Sequence, residues 1–517
     1  MKKKTDVLII GSGIAGLSFA LKIAEKRADL HIDILTKSNN EAGSTFRAQG
    51  GIAVVSDKVN DSFQKHYQDT LKAGKGLCNP KIVEMVVSQA PDRLQELIKW
   101  GGKFDTSADG SLNLGLEGGH SQKRIVHRQD FTGRELEQTL LTKIAEYPNI
   151  RIESHHFVTD LLLKDNLHGP VCIGAEVLEL KTGEKIKIRS KVTMLATGGS
   201  GKIFRNTTNP SVATADGVAM AYRAGARVIN MNYIQFHPTA FYQNGPNRLF
   251  LISEAVRGFG AYLVNRQGKR FLFEYDSRGE LATRDIISAA ILSELKESGE
   301  DCVFLDCRHL DHKKFSQEFP TIVSYCNLQG INLQTGLIPV TPAAHYQCGG
   351  IKTDKFARTS IPNLFASGEC ACTGLHGSNR LASNSLLEAL VFSHQASEYL
   401  TPRIDRITSI PEAQNNTDHK IKLPEDSLLL RSFKHQLVNL MSYEMVYQSG
   451  IAEKEKAWQQ LQDIRSQLHR ISKSTDCSSN FYEVRNMVFA AILVIEHSLI
   501  EKSRKKLKPQ LLQGIKL

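Results

Sequence analysis

Four side chains in this sequence are of types that would suit a small anion. His237 stands before Pro238-Thr239, His345 before Tyr346, Arg284 before Asp285, and Arg380 opens Arg380-Leu381-Ala382-Ser383-Asn384-Ser385. A planar guanidinium grips a carboxylate through two parallel hydrogen bonds. A histidine met singly is more often structural than functional, so the weight lies in two histidines and two arginines recurring in four separate motifs. A second chemistry is written near the start. Gly11-Ser12-Gly13-Ile14-Ala15-Gly16 follows the apolar run Val7-Leu8-Ile9-Ile10 and precedes an apolar-periodic segment to about Arg27. Strand, Gly-rich turn and helix in that order seat a dinucleotide pyrophosphate at the helix N-terminus, where free N–H groups and the dipole favour anions.

The elements that must position these groups follow from patterning. Residues 5–10 and 30–36 read as buried strands flanking the first helix, a βαβ start. The second strand ends Leu35-Thr36-Lys37, without the acid that usually binds a dinucleotide ribose. Asp33 reads as a solvent-face residue within it. NAD is therefore disfavoured, and the ribose must be held differently. Residues 79–100 and 133–147 look helical. Residues 150–197 read as a hairpin-like block with a turn at Thr182-Gly183-Glu184. A helix is expected over 212–226, a mixed inserted segment over 230–345, and strand, turn and long helix over 361–397. The stretch near 402–424, with Pro402, Pro411 and Pro424, reads as a linker. Residues 425–500 read as helical throughout and carry no chemical motif.

Composition sets the outer limits. The chain has 517 residues, too many for one core, with 41% hydrophobic and 23% charged residues. No window approaches the roughly 18 apolar residues of a membrane span, so no membrane anchor is expected. Met1-Lys2-Lys3-Lys4 could imitate a secretory leader, but Asp6 interrupts the apolar run and glycines follow it. Nine cysteines include no C-x-x-C pair, so no metal or iron–sulfur site is expected and reduced thiols in a cytoplasm are. The net charge of +11 is partly clustered at 502–508, a run without aromatics that reads as a solvated tail and not as a nucleic-acid site.

Two later segments favour FAD. Residues 192–201, VTMLATGGSG, give a strand and Gly-rich turn, and residues 361–371, IPNLFASGECA, give a strand ending in Gly368-Glu369. Both resemble flavin-contacting segments of two-dinucleotide-domain flavoproteins, which would put Glu369 at the ribityl or phosphate region. At Ser44-Thr45-Phe46-Arg47-Ala48-Gln49-Gly50-Gly51-Ile52 the sequence resembles the succinate dehydrogenase/fumarate reductase flavoprotein superfamily and, within it, the L-aspartate oxidase family. EGGHS at 117–121, FHPT at 236–239, SEAVRG at 253–258, TRD at 283–285, PAAHYQCGG at 342–350 and HGSNRLASNSLLE at 376–388 match in order.

The resemblance carries specific expectations. The fold is α/β: a Rossmann-like FAD-binding domain (1–230 and 348–415), an inserted α+β capping domain (231–347) and a C-terminal helical bundle domain (416–517). FAD contacts fall to Gly11, Ser12, Gly13, Ile14, Ala15, Gly16, Lys37, Ser44, Thr45, Phe46, Arg47, Ala48, Gln49, Gly50, Gly51, Asp216, Glu369, Ser385 and Leu386. Ser44 stands where respiratory relatives bond FAD through a histidine, so the FAD here is non-covalent. Ser385 and Leu386 would begin a helix aimed at the flavin's pyrimidine edge. Glu117 stands where respiratory relatives carry glutamine, and a carboxylate can pair with a substrate ammonium that succinate lacks. His237, His345 and Arg380 would hold carboxylates, with help from Ser253 where the family usually has threonine. Arg284 would transfer the proton, with Glu254 and Arg257 as a relay or an ordinary i,i+3 ion pair. Phe259 replaces a frequent glutamate, and Ala215 replaces a common glycine.

The implied reaction is oxidation of L-aspartate to iminoaspartate, with O2 or fumarate as acceptor, as the first step of NAD biosynthesis through quinolinate. A transient contact with quinolinate synthase and a monomer or weak homodimer would go with it. A soluble fumarate reductase is the alternative. A flavin-containing structural subunit is a further rival, which the full set of substrate motifs disfavours.

Overall fold

The computed structural model describes residues 2–167, 169–243, 249–407, 421–422 and 427–513. Of these, residues 2–3, 421–422, 474, 476 and 504–513 are described by backbone alone. Pro411, Pro424 and the expected boundary at 415/416 lie outside the described residues, as do the side chains of the basic run beyond Ser503.

The first strand, Lys2–Ile10, shows how the sequence builds the centre. Successive side chains of a strand point to opposite faces. Val7 and Ile9 pack into one core with the helices Ile14–Ala24 and Asn384–Leu400, while Leu8 and Ile10 pack into another that includes Leu430, Met487 and Val488 of the C-terminal helices. A strand buried on both faces reads as a continuous apolar run, which is why VLII carries no alternation.

It belongs to a set of five parallel strands. Ile150–Ser154, Ile32–Thr36, Lys2–Ile10 and Lys185–Leu195 lie side by side, and Leu364–Ala366 adds to the last. Lys185–Leu195 is forked. Its first half pairs antiparallel with Gly169–Glu179, and Thr193–Leu195 pair parallel with Leu364–Ala366. In such sheets ligands bind beyond the carboxyl ends of the strands.

Two expectations change. The block starting at residue 150 is not one hairpin arm. His155, at φ 62, breaks it, so that Ile150–Ser154 joins the parallel sheet and His156–Asn166 turns away to pair with Gly169–Glu179. Asp33 is buried, not on the solvent face. Parallel pairing sets it opposite Arg151, whose Nη2 lies 3.0 Å from Asp33 Oδ1.

The segment between the dinucleotide halves forms its own four-stranded antiparallel sheet, in the order Ile234–Phe241, Ile338–Gln347, Val303–Asp306, Tyr262–Val264. Its core holds Leu263, Ile287, Leu305 and Val340. Phe259 packs edge-on against Phe315 and Phe319, with ring centroids 5.7 and 5.5 Å apart, so this position is apolar packing. Beyond it the chain forms the helices Leu428–Leu440, Tyr443–Tyr447, Ile451–Ser474 and Ser479–Gln513, interrupted by a short strand Thr475–Asp476 paired with Ile421–Lys422. No helix among the described residues is long and apolar enough to cross a membrane.

Candidate active site

A cavity of about 470 Å³ opens at the carboxyl end of the parallel strands. It is lined by Gly11, Ser12, Gly13, Ile14 and Ala15 of the Gly-rich turn, by Lys37, and by Ser44, Thr45, Phe46, Arg47, Ala48 and Gln49. Gly198-Gly199, Asp216, Glu369, Ser385 and Leu386 complete it from later in the chain. Gly16, Gly50 and Gly51 do not reach the cavity. Gly16 lies beneath the turn, where a Cβ would stand 2.1 Å from Gly11 O. Gly11 itself has φ 113, and a Cβ on it would meet Ala196 O at 2.1 Å. This is a cradle that side chains would fill, as close approach of a pyrophosphate to backbone N–H groups requires.

The polar groups around the cavity fit a dinucleotide flavin. Ile14 N donates to Thr45 Oγ1 (3.1 Å), which ties the 44–49 loop to the helix N-terminus. Gln49 Oε1 is buried and has no hydrogen-bond partner among the described residues. Glu369 accepts from Gln347 N (3.0 Å), and burial pushes its carboxyl up to about 7. Lys37 Nζ donates to Thr214 Oγ1, Asp216 Oδ2 and Glu483 Oε1 at 2.6–2.7 Å. Burial opposes its charge, yet Asp216 and Glu483 hold the ammonium above the ordinary lysine range. The helix Asp216–Arg223 starts from Ala215 in the left-handed region (φ 63), where a glycine would sit at less cost. Ser383, at φ 58, precedes the helix Asn384–Leu400, one residue earlier than the sequence suggested.

His345, Tyr346 and Arg380 also line the cavity, and the other predicted anion-binding residues are packed behind them. His237 and His345 face each other with ring centroids 5.0 Å apart. His345 Nδ1 is 2.8 Å from Thr208 Oγ1. Thr239 N donates to His237 Nδ1 (3.2 Å), which leaves the proton on Nε2, an atom with no partner among the described residues. Burial, together with Arg284, pushes both imidazoles well below the ordinary histidine range. Both therefore stay neutral and can donate.

Arg380 lies over the Tyr346 ring, 4.4 Å from its centroid, and its Nη1 donates to Ser385 Oγ (3.0 Å). Tyr346 is held in turn by its hydroxyl, which donates to Glu388 Oε2 (3.0 Å). Arg284 Nε donates to Glu254 Oε2 (2.6 Å), and Arg257 Nη2 stands 3.1 Å from Glu254 Oε1. The i,i+3 pair is present, and Glu254 also reaches Arg284, so one carboxylate bridges two guanidiniums. Burial disfavours that charge, but Arg284 and Arg257 hold the Glu254 carboxyl below the usual range. Gly118 makes room for it, since a Cβ there would lie 2.2 Å from Glu254 Oε1. Ser253 caps its own short helix, its hydroxyl accepting from Ala255 N (3.3 Å).

Glu117 is buried beside this cluster. Burial, with Glu254 nearby, raises its carboxyl above the usual range, and Ser383 Oγ donates to its Oε2 (2.6 Å). One connecting residue and three wall residues carry no sequence motif. Gln235 accepts from Arg284 Nη1 (2.9 Å) and donates to the Arg380 carbonyl (2.7 Å), joining the two arginines. Its only sequence clue is its place two residues before His237 on one strand. Phe250, Leu251 and Thr321 bring the inserted segment to the cavity wall without a recognisable motif.

Known proteins share this outline. The family model described as FAD binding domain matches residues 6–386. L-aspartate oxidase of Yersinia pestis is 40% identical over 514 residues, covering 97% of this chain and 95% of that one. L-aspartate oxidase 2-a, chloroplastic, of Nicotiana tabacum is 46% identical over 409 residues, or 78% of this chain. The chain spans 62% of the length of that tobacco relative. Among solved structures, a variant of E. coli quinol fumarate reductase superposes with a TM-score of 0.84 at 28% identity, covering 97% of this chain and 89% of that one.

Proposed function

The chain belongs to the L-aspartate oxidase family of FAD-binding oxidoreductases, and from that premise we propose that it oxidises L-aspartate to iminoaspartate where the cavity meets the buried Arg–His cluster. The observation that carries the reading is Glu117, a buried carboxyl that accepts from Ser383 and lies within the fields of Arg284 and Arg380, the two arginines that suit carboxylates. A plain dicarboxylate offers this group nothing. The ammonium of aspartate supplies the opposite charge that a buried carboxylate needs.

FAD would be held along the Gly-rich turn, Lys37, the 44–49 loop, Asp216, Glu369 and the start of the Asn384–Leu400 helix, and would supply a two-electron acceptor for the substrate Cα hydride, with O2 or fumarate as the final oxidant. Ser385 and Leu386 lie in the first turn of that helix, whose N-terminus would favour negative charge on a reduced flavin. Ser44 offers no imidazole for a covalent bond, so the cofactor is held by contacts alone. Arg380 and His345 hold one end of the dicarboxylate, with His237 and Ser253 at the other. Glu117 takes the ammonium, which orients Cα–H. Loss of the Cα hydride must be matched by loss of a proton from the ammonium nitrogen; Arg284 relays that proton, passing one from its Nε to the Glu254 carboxylate as it takes one up, with Arg257 beside Glu254. The inserted segment, through Phe250, Leu251 and Thr321, excludes water.

We divide the chain accordingly into an FAD-binding domain (1–230 and 348–415), a cap (231–347) and a helical domain (416–517). The product would enter NAD biosynthesis through quinolinate, in passing contact with quinolinate synthase, with the enzyme a cytoplasmic monomer or weak dimer. Nine cysteines with no disulfide among them suit a reducing compartment. The purified protein should form hydrogen peroxide from aspartate in air and succinate from fumarate and aspartate without air. Turnover of succinate with none of aspartate would overturn the reading.

A further inference from the structure

The second strand lacks the acid that normally meets a dinucleotide ribose; Lys37 follows its last residue, Thr36, instead. Lys37 and Asp216 both line the cavity, and both are gripped by the C-terminal helix Ser479–Gln513. Glu483 Oε1 accepts from Lys37 Nζ (2.6 Å), and Asn486 Nδ2 donates to Asp216 Oδ1 (2.9 Å). Residues three apart share one helix face, so a single helical stripe meets both partners. Thr214 closes the arrangement, donating to Asp216 Oδ1 (2.9 Å) and accepting from Lys37.

We infer that the C-terminal helical region is a working part of the cofactor site: Glu483 and Asn486 are positioning residues that fix the Lys37–Asp216 pair, which replaces the missing strand-end acid at the adenosine half of FAD. The inference rests on the proposal that this cavity holds FAD. A lysine alone at that position would point a cation at neutral hydroxyls. Two carboxylates on one ammonium leave acceptor oxygens at this edge, which is what ribose hydroxyls require. Each carboxylate would be costly unpaired in this half-buried place, and Lys37 satisfies both. The helical region, otherwise without a chemical motif, thereby acquires a role that depends on the ligand.

The test is equilibrium binding of FAD and, separately, of ADP to the full-length apoprotein. Wild type is compared with Glu483→Gln, Asn486→Ala and Lys37→Met, and with the Lys37→Met/Glu483→Gln pair. Glu483→Gln should weaken FAD and ADP by the same factor, roughly tenfold, the loss of one charge-assisted hydrogen bond. Adding it to Lys37→Met should weaken binding no further, while Glu483→Asp recovers part of the loss. Unchanged affinities for both ligands in Glu483→Gln and Asn486→Ala would overturn the inference. So would a full additional loss in the double variant, because the helix would then act through general stability. Failure of wild type to bind FAD would instead sink the reading of the cavity itself.

Discussion

Ser383 Oγ donates to Glu117 Oε2 across 2.6 Å while accepting from Gly51 N at 3.2 Å. One hydroxyl, held in the left-handed region at the start of the Asn384–Leu400 helix, thus joins the flavin-side loop to the carboxyl proposed to hold the substrate ammonium. Glu117 must be ionised for that task, and its pKa is raised by burial and by Glu254. Aspartate kcat/KM should therefore fall with falling pH at a value above the ordinary carboxylate range. Ser383→Ala removes a bond that favours the charged form, so it should move this limb to still higher pH. Glu117→Gln should abolish the limb and lower aspartate kcat/KM by about 10²-fold, with a smaller effect on fumarate reduction. A Ser383→Ala profile displaced to lower pH would contradict the assignment.

Arg284 has two fixed partners, Glu254 Oε2 at 2.6 Å and Gln235 Oε1 at 2.9 Å. An ammonium cannot reproduce this fork. Arg284→Lys should lower kcat by about 10²- to 10⁴-fold, the range of a positioned proton-transfer group, with FAD content unchanged. Glu254→Gln should lower kcat in the same direction by a smaller factor. Retention of wild-type kcat in Arg284→Lys would remove the proton-transfer role.

Stability should depend on pH through Glu137. It is fully buried on the helix Thr132–Ile144, and neither carboxyl oxygen has a partner among the described residues. Burial, with Glu41 nearby, pushes it up to about 8. A carboxyl with a raised folded pKa binds its proton more tightly when folded. The protein is therefore favoured below the unfolded value near 4.5 and loses stability as pH rises to about 8. Glu137→Gln should flatten this decline and raise the thermal midpoint above pH 8 by a few degrees. A lower midpoint for the variant throughout that range would show that the carboxylate is stabilised there.

With Ser44 in place of a flavin-bonding histidine, acid precipitation should leave all of the flavin in the supernatant. Yellow colour retained by the washed pellet would contradict the proposed non-covalent attachment.

The parts legible in the sequence are those where local pattern and chemistry coincide. Gly11 to Gly16 could be read because strand, turn and helix must follow each other directly. The burial of Asp33 is not legible locally, because its partner Arg151 comes from a strand 118 residues away. The break at His155 had no turn residue to mark it. Lys37 illustrates the limit most clearly. The missing acid was visible, but its replacement depends on Glu483, 446 residues distant. Gln235 is of the same kind, an ordinary strand residue until Arg284 and Arg380 converge on it.

The most direct measurement is anaerobic mixing of the purified, flavin-loaded protein with L-aspartate or with succinate while the visible flavin absorbance is followed. Rapid bleaching by L-aspartate, with little or none by succinate, is the predicted result. Bleaching by succinate with no response to L-aspartate would contradict the place given to Glu117 and, with it, the proposed substrate.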